Sequence, residues 1–425
     1  MENKAWIVAV NMGYGHQRTA YALKDLSANS VINANSYSGI PDKDKKIWES
    51  SRNFYEFISN FKRVPLIGRW LFSLFDKAQK ILVYYPQRDM SRPNFGLKQI
   101  YSLINKGWGD NLIKTLSGNP LPLVSTFFVP AFMAEQHHYP NKIYCIVCDA
   151  DIARSWAPLD PLESDIQYFA PSSWVRDRLG LYGVKPESIH LTGYPLPKQN
   201  VGEGAEIARK DLVNRLLNLD PKGEYYKRYK PVIETYAGEL PKKSDHILTL
   251  MFAIGGAGAQ KEIGAHILKS LKNNIKKKEI KFVIGIGTRE SLKEYYLKHI
   301  HRLRLEKEID QGVELVSGNT VYEYFDNFNK RLRTVDILWT KPSELSFYTA
   351  LGIPMIIAPP IGSQEDFNKR WLLHMGSGVL QENPKYTNEW LFDLLKGGVL
   401  AESAMEGFIE IEKMGTYNIE KIVSK

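Results

Sequence analysis

The first residue with clear chemical potential is His16, which follows a short glycine turn near the start of the chain. Gly13 and Gly15 stand in that turn, after the apolar run 5–10 and before a stretch of helical character at 17–26. Open parallel sheets bind ligands at loops that follow their strands, and an imidazole titrates in the range that general-base catalysis needs. The pattern predicts a catalytic base at His16, although a histidine here could equally cap the helix.

A second glycine loop lies near the middle of the chain, after the apolar run 247–254. Gly255, Gly256 and Gly258 fill three of its first four positions, and a helix is predicted to begin just beyond Gln260. The backbone N–H groups of such a loop, together with the positive end of the helix dipole, can hold a diphosphate. A plain tight turn is the alternative, but the density of glycines favours phosphate contact.

The stretch 336–368 is typical of a strand, a turn, a helix that ends at Leu351, and a second strand. Ser343 is predicted to cap that helix, whose first N–H groups offer a place for an anion such as a phosphate. Gln364 and Glu365 follow the second strand on a polar loop, where they could hydrogen-bond to a ribose or a sugar. The alternative is an ordinary strand–helix–strand unit with a capped helix.

Asp149 ends the strand-like run 142–149 and Asp151 follows two residues later, so both carboxylates are candidate site residues. Neither a histidine nor a third acid is close in sequence, so no metal is predicted there. Cys145 and Cys148 form a C-x-x-C inside the same run, and a second pair to complete a zinc site is lacking. A redox dithiol would normally open a helix, so two buried thiols of a reduced protein are the preferred interpretation.

Two sheets are needed to position these loops. Further apolar runs predict strands at 123–130, 168–172, 189–196, 281–287 and 313–318. A length of 425 residues allows two α/β domains of similar size. We therefore predict an N-terminal domain at 1–196, a connector at 197–245, a C-terminal domain at 246–405 and a final helix at 406–425.

The net charge of +9 suggests an acidic partner. Cations concentrate in the segment 54–114, where Trp, Phe and Leu alternate with Lys and Arg while acids are scarce. Amphipathic helices of this composition lie in membrane interfaces, which predicts contact with an anionic membrane surface. The alternative is that the helices pack on a sheet and leave their basic faces solvated. No nucleic-acid-binding motif accompanies the charge, so a nucleic acid partner is not predicted.

The apolar run at 6–10 is too short for a secretory signal. None of the apolar runs approaches the roughly 20 residues that a membrane-spanning helix needs. We therefore expect a cytoplasmic protein that is peripheral on the membrane.

Four of these features, in order along the chain, resemble the nucleotide-sugar glycosyltransferases of the GT-B fold. The similar branch includes monogalactosyldiacylglycerol synthase, processive diacylglycerol glucosyltransferase and the N-acetylglucosaminyltransferase that makes lipid II. The motifs that carry the resemblance are the glycine loop with His16, the pattern APS…L…GV…I…TGYP between Tyr168 and Leu196, the loop Gly255-Gly256-Ala257-Gly258, and the stretch TKPSELSFYTALGIPMIIAPPIGSQEDFN at 340–368. The resemblance runs nearly end to end.

The resemblance implies two Rossmann-like domains that face each other across a cleft, the second holding a nucleotide-sugar and the first an acceptor. It implies transfer from a nucleoside-diphosphate sugar, with UDP as the expected nucleotide, to a lipid or lipid-linked acceptor. The reaction would be inverting and would need neither a metal nor a cofactor, with His16 as the base. The donor side would comprise Gly255, Gly256, Gly258, Ser317, Gly318, Asn319, Ser343, Glu344, Gln364, Glu365 and Asn368. The acceptor side would comprise Gly13, Gly15, Asp149 and Asp151.

The chain departs from the family's pattern at the donor side. Ser343 and Glu344 stand where the family usually has two glycines, and Thr349 stands where it usually has a glutamate for the ribose hydroxyls. A carboxylate beside a phosphate is unfavourable unless it turns away. Two alternatives therefore accompany the glycosyltransferase prediction. One is a catalytically silent GT-B binding protein, which these changes favour, and the other is a nucleotide-sugar 2-epimerase, which would not need the basic aromatic segment.

Overall fold

The computed structural model describes residues 4–49, 81–255 and 258–425. Residues 54–80 of the basic aromatic segment, and Gly256 of the second glycine loop, lie outside the described residues. The chain divides into two compact units. Unit 1 comprises Met1–Pro195, Ile361–Asn368 and Met414–Lys425, and unit 2 comprises Leu196–Pro360 and Lys369–Lys413.

Unit 1 is built on a parallel sheet of six strands. In chain order they are β1 (Trp6–Ala9), β2 (Ile32–Asn33), β3 (Leu123–Ser125), β4 (Ile143–Ile146), β5 (Gln167–Ala170) and β6 (Ile189–Leu191). Their order across the sheet is β2-β1-β3-β4-β5-β6, and every pair is parallel. Parallel sheets of this kind are covered by helices on both faces, so their strands are apolar throughout rather than alternating.

Helices cover both faces of this sheet. The α-helices of unit 1 are residues 42–49, Tyr14–Ala22, Phe95–Asn105, Asp110–Ser117, Phe128–Gln136, Ser173–Leu181 and Gly415–Val423. Short 3₁₀ helices are Lys24–Leu26, Arg154–Trp156 and Pro186–Ser188. A hydrophobic core lies on each face of the sheet, and the side chains of β1 alternate between the two. Trp6 and Val8 belong to one buried cluster, whereas Ile7 and Ala9 belong to the other.

The strand predicted at 123–130 is correct only for its first half. Strand β3 ends at Ser125, and an α-helix begins at Phe128 and continues to Gln136. Every residue of that helix from Phe128 to Ala134 is buried. A helix that is buried on all sides has no polar face, so its sequence cannot be told from a buried strand by periodicity.

Unit 2 contains a second six-stranded parallel sheet. Its strands are β7 (Thr249–Ala253), β8 (Lys281–Gly287), β9 (Val313–Ser317), β10 (Ile337–Thr340), β11 (Met355–Ile357) and β12 (Gly378–Leu380). They are arranged in the order β12-β11-β10-β7-β8-β9. The sequence therefore predicted the α/β class correctly, and the two Rossmann-like units are confirmed.

The α-helices of unit 2 are Lys198–Val201, Glu206–Leu219, Glu224–Tyr236, Lys261–Ser270, Lys272–Lys276, Glu290–Arg302, Val321–Leu332, Thr387–Lys396 and Val399–Glu410. Its 3₁₀ helices are Glu203–Ala205, Glu306–Glu308, Glu344–Leu351 and Pro384–Tyr386. The helix Ser363–His374 begins in the segment assigned to unit 1 and ends in unit 2.

A buried arginine ties three parts of unit 2 together. The guanidinium of Arg215, only 1% exposed, donates to the carbonyl oxygens of Leu332, Val335 and Leu351 at 2.9, 2.7 and 2.8 Å. These carbonyls lie at the end of one helix, just before β10, and at the end of the 3₁₀ helix Glu344–Leu351. Arg215 thus fixes both ends of the segment that carries the loop after β10.

Within the described residues, no helix has the length and apolar content that crossing a membrane requires.

Candidate functional site

Each sheet has one topological switch point, where the chain reverses the direction in which it adds strands. In unit 1, β2 lies on one side of β1 and β3 on the other. In unit 2, the chain runs from β7 to β8 and β9 and then returns to place β10 on the opposite side of β7. The loops that leave neighbouring strands at such a point diverge and open a crevice, which is where open α/β sheets bind ligands.

The switch point of unit 1 carries His16. Gly13 precedes the helix Tyr14–Ala22 with a φ of 124°, a conformation that side chains rarely adopt, and Gly15 and His16 lie in the first turn. The His16 ring nitrogen Nδ1 lies 2.7 Å from the carbonyl oxygen of Thr126, just beyond β3. The Thr126 hydroxyl donates in return to the His16 carbonyl at 3.0 Å. The loops after β1 and β3 are therefore joined at the histidine itself.

This contact fixes the protonation pattern of the His16 ring. A carbonyl oxygen can only accept, so Nδ1 must carry the proton that it donates to Thr126. The basic lone pair of the neutral ring then resides on Nε2. The ring is also packed against Phe127, at 4.8 Å between centroids, and lies 6.3 Å from Trp156. A half-buried imidazole with a fixed tautomer has the chemistry of a general base.

Thr19 anchors the helix that carries His16. Its hydroxyl donates to the Gly15 carbonyl at 2.8 Å and lies 2.9 Å from the hydroxyl of Tyr194. It is also 3.3 Å from the thiol of Cys148. Cys148 and Cys145 are both buried thiols, as predicted for core cysteines, and burial raises the pKa of the Cys145 thiol.

Asp151 belongs to the framework around this site. Its carboxylate oxygens accept from Arg178 Nε at 2.8 Å and Nη2 at 2.7 Å, and both side chains are almost fully buried. One of these oxygens also accepts from the backbone N–H of Ile152 at 2.8 Å. A bidentate pair of this geometry holds the loop after β4 in place.

Asp149 is joined to Asn368, a residue from the far end of the sequence that belongs to the same unit. The Asn368 amide donates to the Asp149 carboxylate at 3.0 Å and accepts the backbone N–H of Ala150 at 2.7 Å. Asn368 is fully buried. Asp149 was predicted on the acceptor side and Asn368 on the donor side, and the structure brings them together.

Glu365 and Gln364 lie one turn before Asn368 and are partly exposed. Glu365 accepts the backbone N–H of Ile361 at 2.7 Å, which closes the loop at the start of the helix. All three predicted residues thus share one short segment, Ile361–Asn368, which is part of unit 1.

The switch point of unit 2 carries the second glycine loop. Gly258 closes its turn by donating to the Gly255 carbonyl at 2.8 Å, and it has a φ of 70°. Gln260 precedes the helix Lys261–Ser270 and donates to the carbonyl of Pro359, beyond β11, at 2.7 Å. The loops after β7 and β11, two strands with β10 between them, are thus connected here.

Two cations border this glycine loop. A methyl group added to Gly255 would lie 2.9 Å from Cε of Lys341, and one added to Gly258 would lie 3.4 Å from Nη1 of Arg289. Lys341 follows β10 and Arg289 follows β8, so both leave the carboxyl ends of strands that flank β7. Backbone N–H groups and two cations at one loop form an arrangement suited to a diphosphate.

Lys341 and Arg289 were not among the predicted site residues. A signal for both was present, since each is a basic residue within two positions of the end of an apolar run. Their approach to the glycine loop depends on strand order, however, and β7, β8 and β10 are far apart in the sequence.

The prediction that Ser343 caps a helix is wrong. Ser343 occupies the position before the 3₁₀ helix Glu344–Leu351, but its side chain makes no capping hydrogen bond. Glu344 is 9% exposed, and the whole 3₁₀ helix is buried. The hydroxyl of Thr349 donates to the Ser346 carbonyl at 2.8 Å, so its hydrogen bond stays within the 3₁₀ helix.

Ser317, Gly318 and Asn319 leave β9, which is the edge strand of the sheet and two strands away from β7. At the usual strand spacing, that separation is about 10 Å. The carboxylate of Glu323 accepts the backbone N–H of Asn319 at 2.8 Å. Gly318 lies against the backbone of Tyr324 too closely for a side chain.

Two parallel six-stranded sheets, each with polar side chains at its switch point, define a two-unit α/β protein of the Rossmann-like class. The chain is similar to the processive diacylglycerol beta-glucosyltransferase of Bacillus subtilis, with 21% identity over 88% of this chain and 82% of that protein. It is also 21% identical to the enzyme of the same name from Bacillus pumilus, over 94% of this chain and 88% of that protein. These relatives confirm the predicted resemblance and support an enzyme, a glycosyltransferase of the GT-B type.

Residues 241–311 also match a family model described as a domain of unknown function, DUF6938. A solved structure of MurG from Acinetobacter baumannii is 12% identical and covers 100% of this chain and 99% of that chain, with a TM-score of 0.44. The structure of the UDP-GlcNAc 2-epimerase of Neisseria meningitidis bound to UDP-GlcNAc is 14% identical. The match covers 84% of this chain and 88% of that chain, also with a TM-score of 0.44.

Proposed function

We propose that the protein transfers a sugar from a nucleoside-diphosphate sugar, with UDP as the nucleotide, to a lipid or lipid-linked acceptor. Unit 2 binds the donor, and unit 1 presents the acceptor and the base. The lipid acceptor is supported by the curated relatives, which are named for glucosyl transfer to diacylglycerol. The reaction is inverting and needs no metal.

The observation that carries the proposal is the placement of His16 at the switch point of unit 1. Its Nδ1 proton is committed to Thr126, so Nε2 can accept the proton of an acceptor hydroxyl. As that proton leaves, the acceptor oxygen attacks C1 of the sugar. The bond from C1 to the diphosphate oxygen breaks, and the nucleoside diphosphate departs with the electron pair. One displacement at C1 inverts its configuration.

Unit 2 would stabilise the charge that develops on the leaving group. Lys341 and Arg289 border the loop at Gly255 and Gly258, where the diphosphate would sit against backbone N–H groups. Two cations supply the neutralisation that a divalent metal provides in other phosphate sites. Full activity in a chelating buffer is therefore expected.

The segment Ile361–Asn368 is the proposed contact for the transferred sugar. Gln364 and Glu365 are partly exposed, and their side chains can hydrogen-bond to sugar hydroxyls. Asn368 is assigned a different role, because Asp149 and Ala150 engage both ends of its amide. Asn368 positions the loop after β4 and does not contact the substrate.

The described part of the basic aromatic segment is the proposed membrane contact of unit 1. Four large apolar side chains are exposed there: Leu82 at 43%, Val83 at 53%, Tyr85 at 73% and Phe95 at 74%. Arg88 and Arg92 are exposed among them. Apolar side chains interleaved with cations suit the interface of an anionic membrane, so the protein would be peripheral on it.

The test is transfer of radiolabelled sugar from UDP-sugars to diacylglycerol-containing vesicles by the wild type and His16→Asn. Asparagine can donate to Thr126 much as Nδ1 does, but it has no basic nitrogen in place of Nε2. Transfer should fall by about 10²–10⁴-fold, the usual contribution of a general base. UDP binding, measured by thermal shift, should remain.

His190→Asn serves as the matched control, because His190 is a partly buried histidine on the edge strand β6. It should transfer sugar at the wild-type rate. Equal activity of His16→Asn and the wild type would remove His16 from the mechanism. A protein that binds UDP but transfers no sugar to any lipid would instead be a binding protein.

A further inference from the structure

Cys148 contacts the residue that holds His16. Its thiol sulfur lies 3.2 Å from the carbonyl oxygen of Thr126, and Nδ1 of His16 lies 2.7 Å from the same oxygen. The carbonyl of Ile146, another acceptor near the thiol, is 3.8 Å away. A carbonyl oxygen can only accept, so the S–H of Cys148 donates to Thr126. The Thr126 carbonyl therefore receives two hydrogen bonds, one for each of its lone pairs.

The other polar groups of Thr126 are also engaged, so its peptide group is held in place. Its backbone N–H donates to the carbonyl of Val8 in β1 at 2.9 Å, and its hydroxyl donates to the carbonyl of His16 at 3.0 Å. Thr126 is fully buried. Because Cys148 occupies one lone pair of the carbonyl, the second lone pair is directed to the imidazole of His16. The thiol thus helps to set the direction of the hydrogen bond that fixes the tautomer of the ring.

Thr19 and Tyr194 extend this contact into a buried chain of hydrogen bonds. The Thr19 hydroxyl lies 2.8 Å from the Gly15 carbonyl and 3.3 Å from the Cys148 sulfur, so its single proton is directed between these two acceptors. The Tyr194 hydroxyl, 2.9 Å from the Thr19 oxygen, must then donate to it. Thr19, Cys148 and Tyr194 are 0%, 3% and 1% exposed. Hydrogen bonds in such a chain polarise one another, because the surrounding interior has a low dielectric constant.

We propose that Cys148 is a positioning residue for His16. Its S–H holds the Thr126 carbonyl in the direction that fixes the His16 ring, and Thr19 in turn holds the sulfur. The inference rests on the proposed function, in which Nε2 of that ring takes the proton of the acceptor. Cys148 was predicted only as a core thiol, yet its hydrogen bond reaches the carbonyl that orients the proposed base.

Cys145 offers a matched control within the same C-x-x-C. It is fully buried and belongs to the hydrophobic cluster that contains Trp6 and Val8. Cys145→Ala therefore removes a buried sulfur without removing the donor to Thr126. An effect that Cys148→Ala shows and Cys145→Ala does not show reflects the hydrogen bond, since both variants lose the same side-chain volume.

The first measurement is solvent exchange of the His16 Nδ1–H, followed by NMR of protein that contains isotope-labelled histidine, without donor or acceptor. His16→Asn assigns the signal. The hydrogen bond to Thr126 should protect this proton in the wild type. Cys148→Ala should accelerate its exchange on the order of tenfold, the size of effect expected when one hydrogen bond is weakened. Cys148→Ser keeps a donor at this position and should restore most of the protection.

The second measurement is the steady-state kinetics of sugar transfer. The donor is proposed to bind in unit 2, so Cys148→Ala should leave KM for the UDP-sugar unchanged. Its kcat should fall about tenfold, within the loss that a misplaced reactive group causes. Cys148→Ser should recover kcat to within about threefold of the wild type, and Cys145→Ala should match the wild type.

Thr19→Val and Thr19→Ser form a second pair, because valine lacks the hydroxyl and serine keeps it. Thr19→Val should accelerate Nδ1–H exchange and lower kcat in the same direction as Cys148→Ala, whereas Thr19→Ser should resemble the wild type. The pair acts on the sulfur from the side opposite Thr126. It therefore tests the proposal even if Cys148→Ala does not fold.

Unchanged Nδ1–H exchange in both Cys148→Ala and Thr19→Val would overturn the proposal. Equal acceleration in Cys148→Ala and Cys145→Ala would also overturn it, because lost packing would then account for the effect. Faster exchange in Cys148→Ala with an unchanged kcat would confirm the positioning and contradict the role of His16 as the base. Since exchange is measured without substrates, failure of the inference is distinguishable from failure of the proposed function.

Discussion

Asn368→Ala tests whether Asn368 positions the loop after β4 or contacts the substrate. The substitution removes the donor to Asp149 and the acceptor for the Ala150 N–H. Ala150 is fully buried, so its N–H would be left without a partner, at a cost of about 1–3 kcal/mol. Asp149 is partly exposed and can be rehydrated, so its lost hydrogen bond costs about 1 kcal/mol.

These terms predict a loss of about 2–4 kcal/mol in the free energy of unfolding of unit 1. In a domain of this size, that corresponds to a fall in melting temperature of roughly 5–15 °C. Urea unfolding, followed by far-UV circular dichroism, measures the loss. Donor affinity, measured by titration with UDP-sugar on the folded variant, should change little.

A charge exchange provides the control. Asn368→Asp keeps an acceptor for Ala150 but places a second carboxylate beside Asp149, so it should destabilise through like-charge repulsion. Adding Asp149→Asn restores a donor and an acceptor in reversed positions and should recover most of the stability. Unchanged stability of Asn368→Ala together with lost donor affinity would refute the positioning role and make Asn368 a direct ligand.

Three further predictions concern unit 2. Arg215→Met leaves three buried carbonyls without their donor and should cost about 3–5 kcal/mol in urea unfolding, whereas a loss below about 1 kcal/mol would contradict the role given to Arg215. Burial lowers the pKa of His246, but the hydrogen bond and charge of Asp336 outweigh burial and raise it above 6.5 overall. Its stabilising contribution is therefore complete below about pH 6.5 and is lost as the pH rises through the raised pKa, so the melting temperature should fall as the pH rises above about 6.5, and less so in His246→Asn. Gly255→Ala displaces only the flexible end of Lys341, so UDP-sugar affinity measured by calorimetry should drop about tenfold while the melting temperature stays within about 2 °C.

The sequence predicted the central strands well, because β1, β7, β8 and β10 are continuous apolar runs that end in glycine or polar residues. The short outer strands β2 and β12 were missed, since two or three residues of partly exposed sequence give no periodic signal. The segment Glu344–Leu351 was expected as an ordinary helix and is a 3₁₀ helix, buried along its whole length. Its last carbonyl is held by Arg215, a contact that sequence cannot predict.

The candidate site was predictable wherever chemistry and local sequence coincide. His16 and the two glycine loops each follow a strand directly, so strand prediction was enough to find them. The contact of Asn368 with Asp149 joins residues far apart in the sequence, and Lys341 reaches Gly255 only through the strand order. Such pairings depend on topology, which a single sequence does not encode in any local pattern.

The helix Gly415–Val423 has a consequence for how the protein is made. Ile419 and Val423 are buried in the same core cluster as Ile7 and Val124, on one face of the unit 1 sheet. The ribosome delivers that helix only after the whole of unit 2. At ordinary elongation rates, part of one apolar face of the unit 1 sheet therefore stays uncovered for roughly tens of seconds during synthesis. The nascent chain should therefore be a client of ribosome-associated chaperones until this helix emerges.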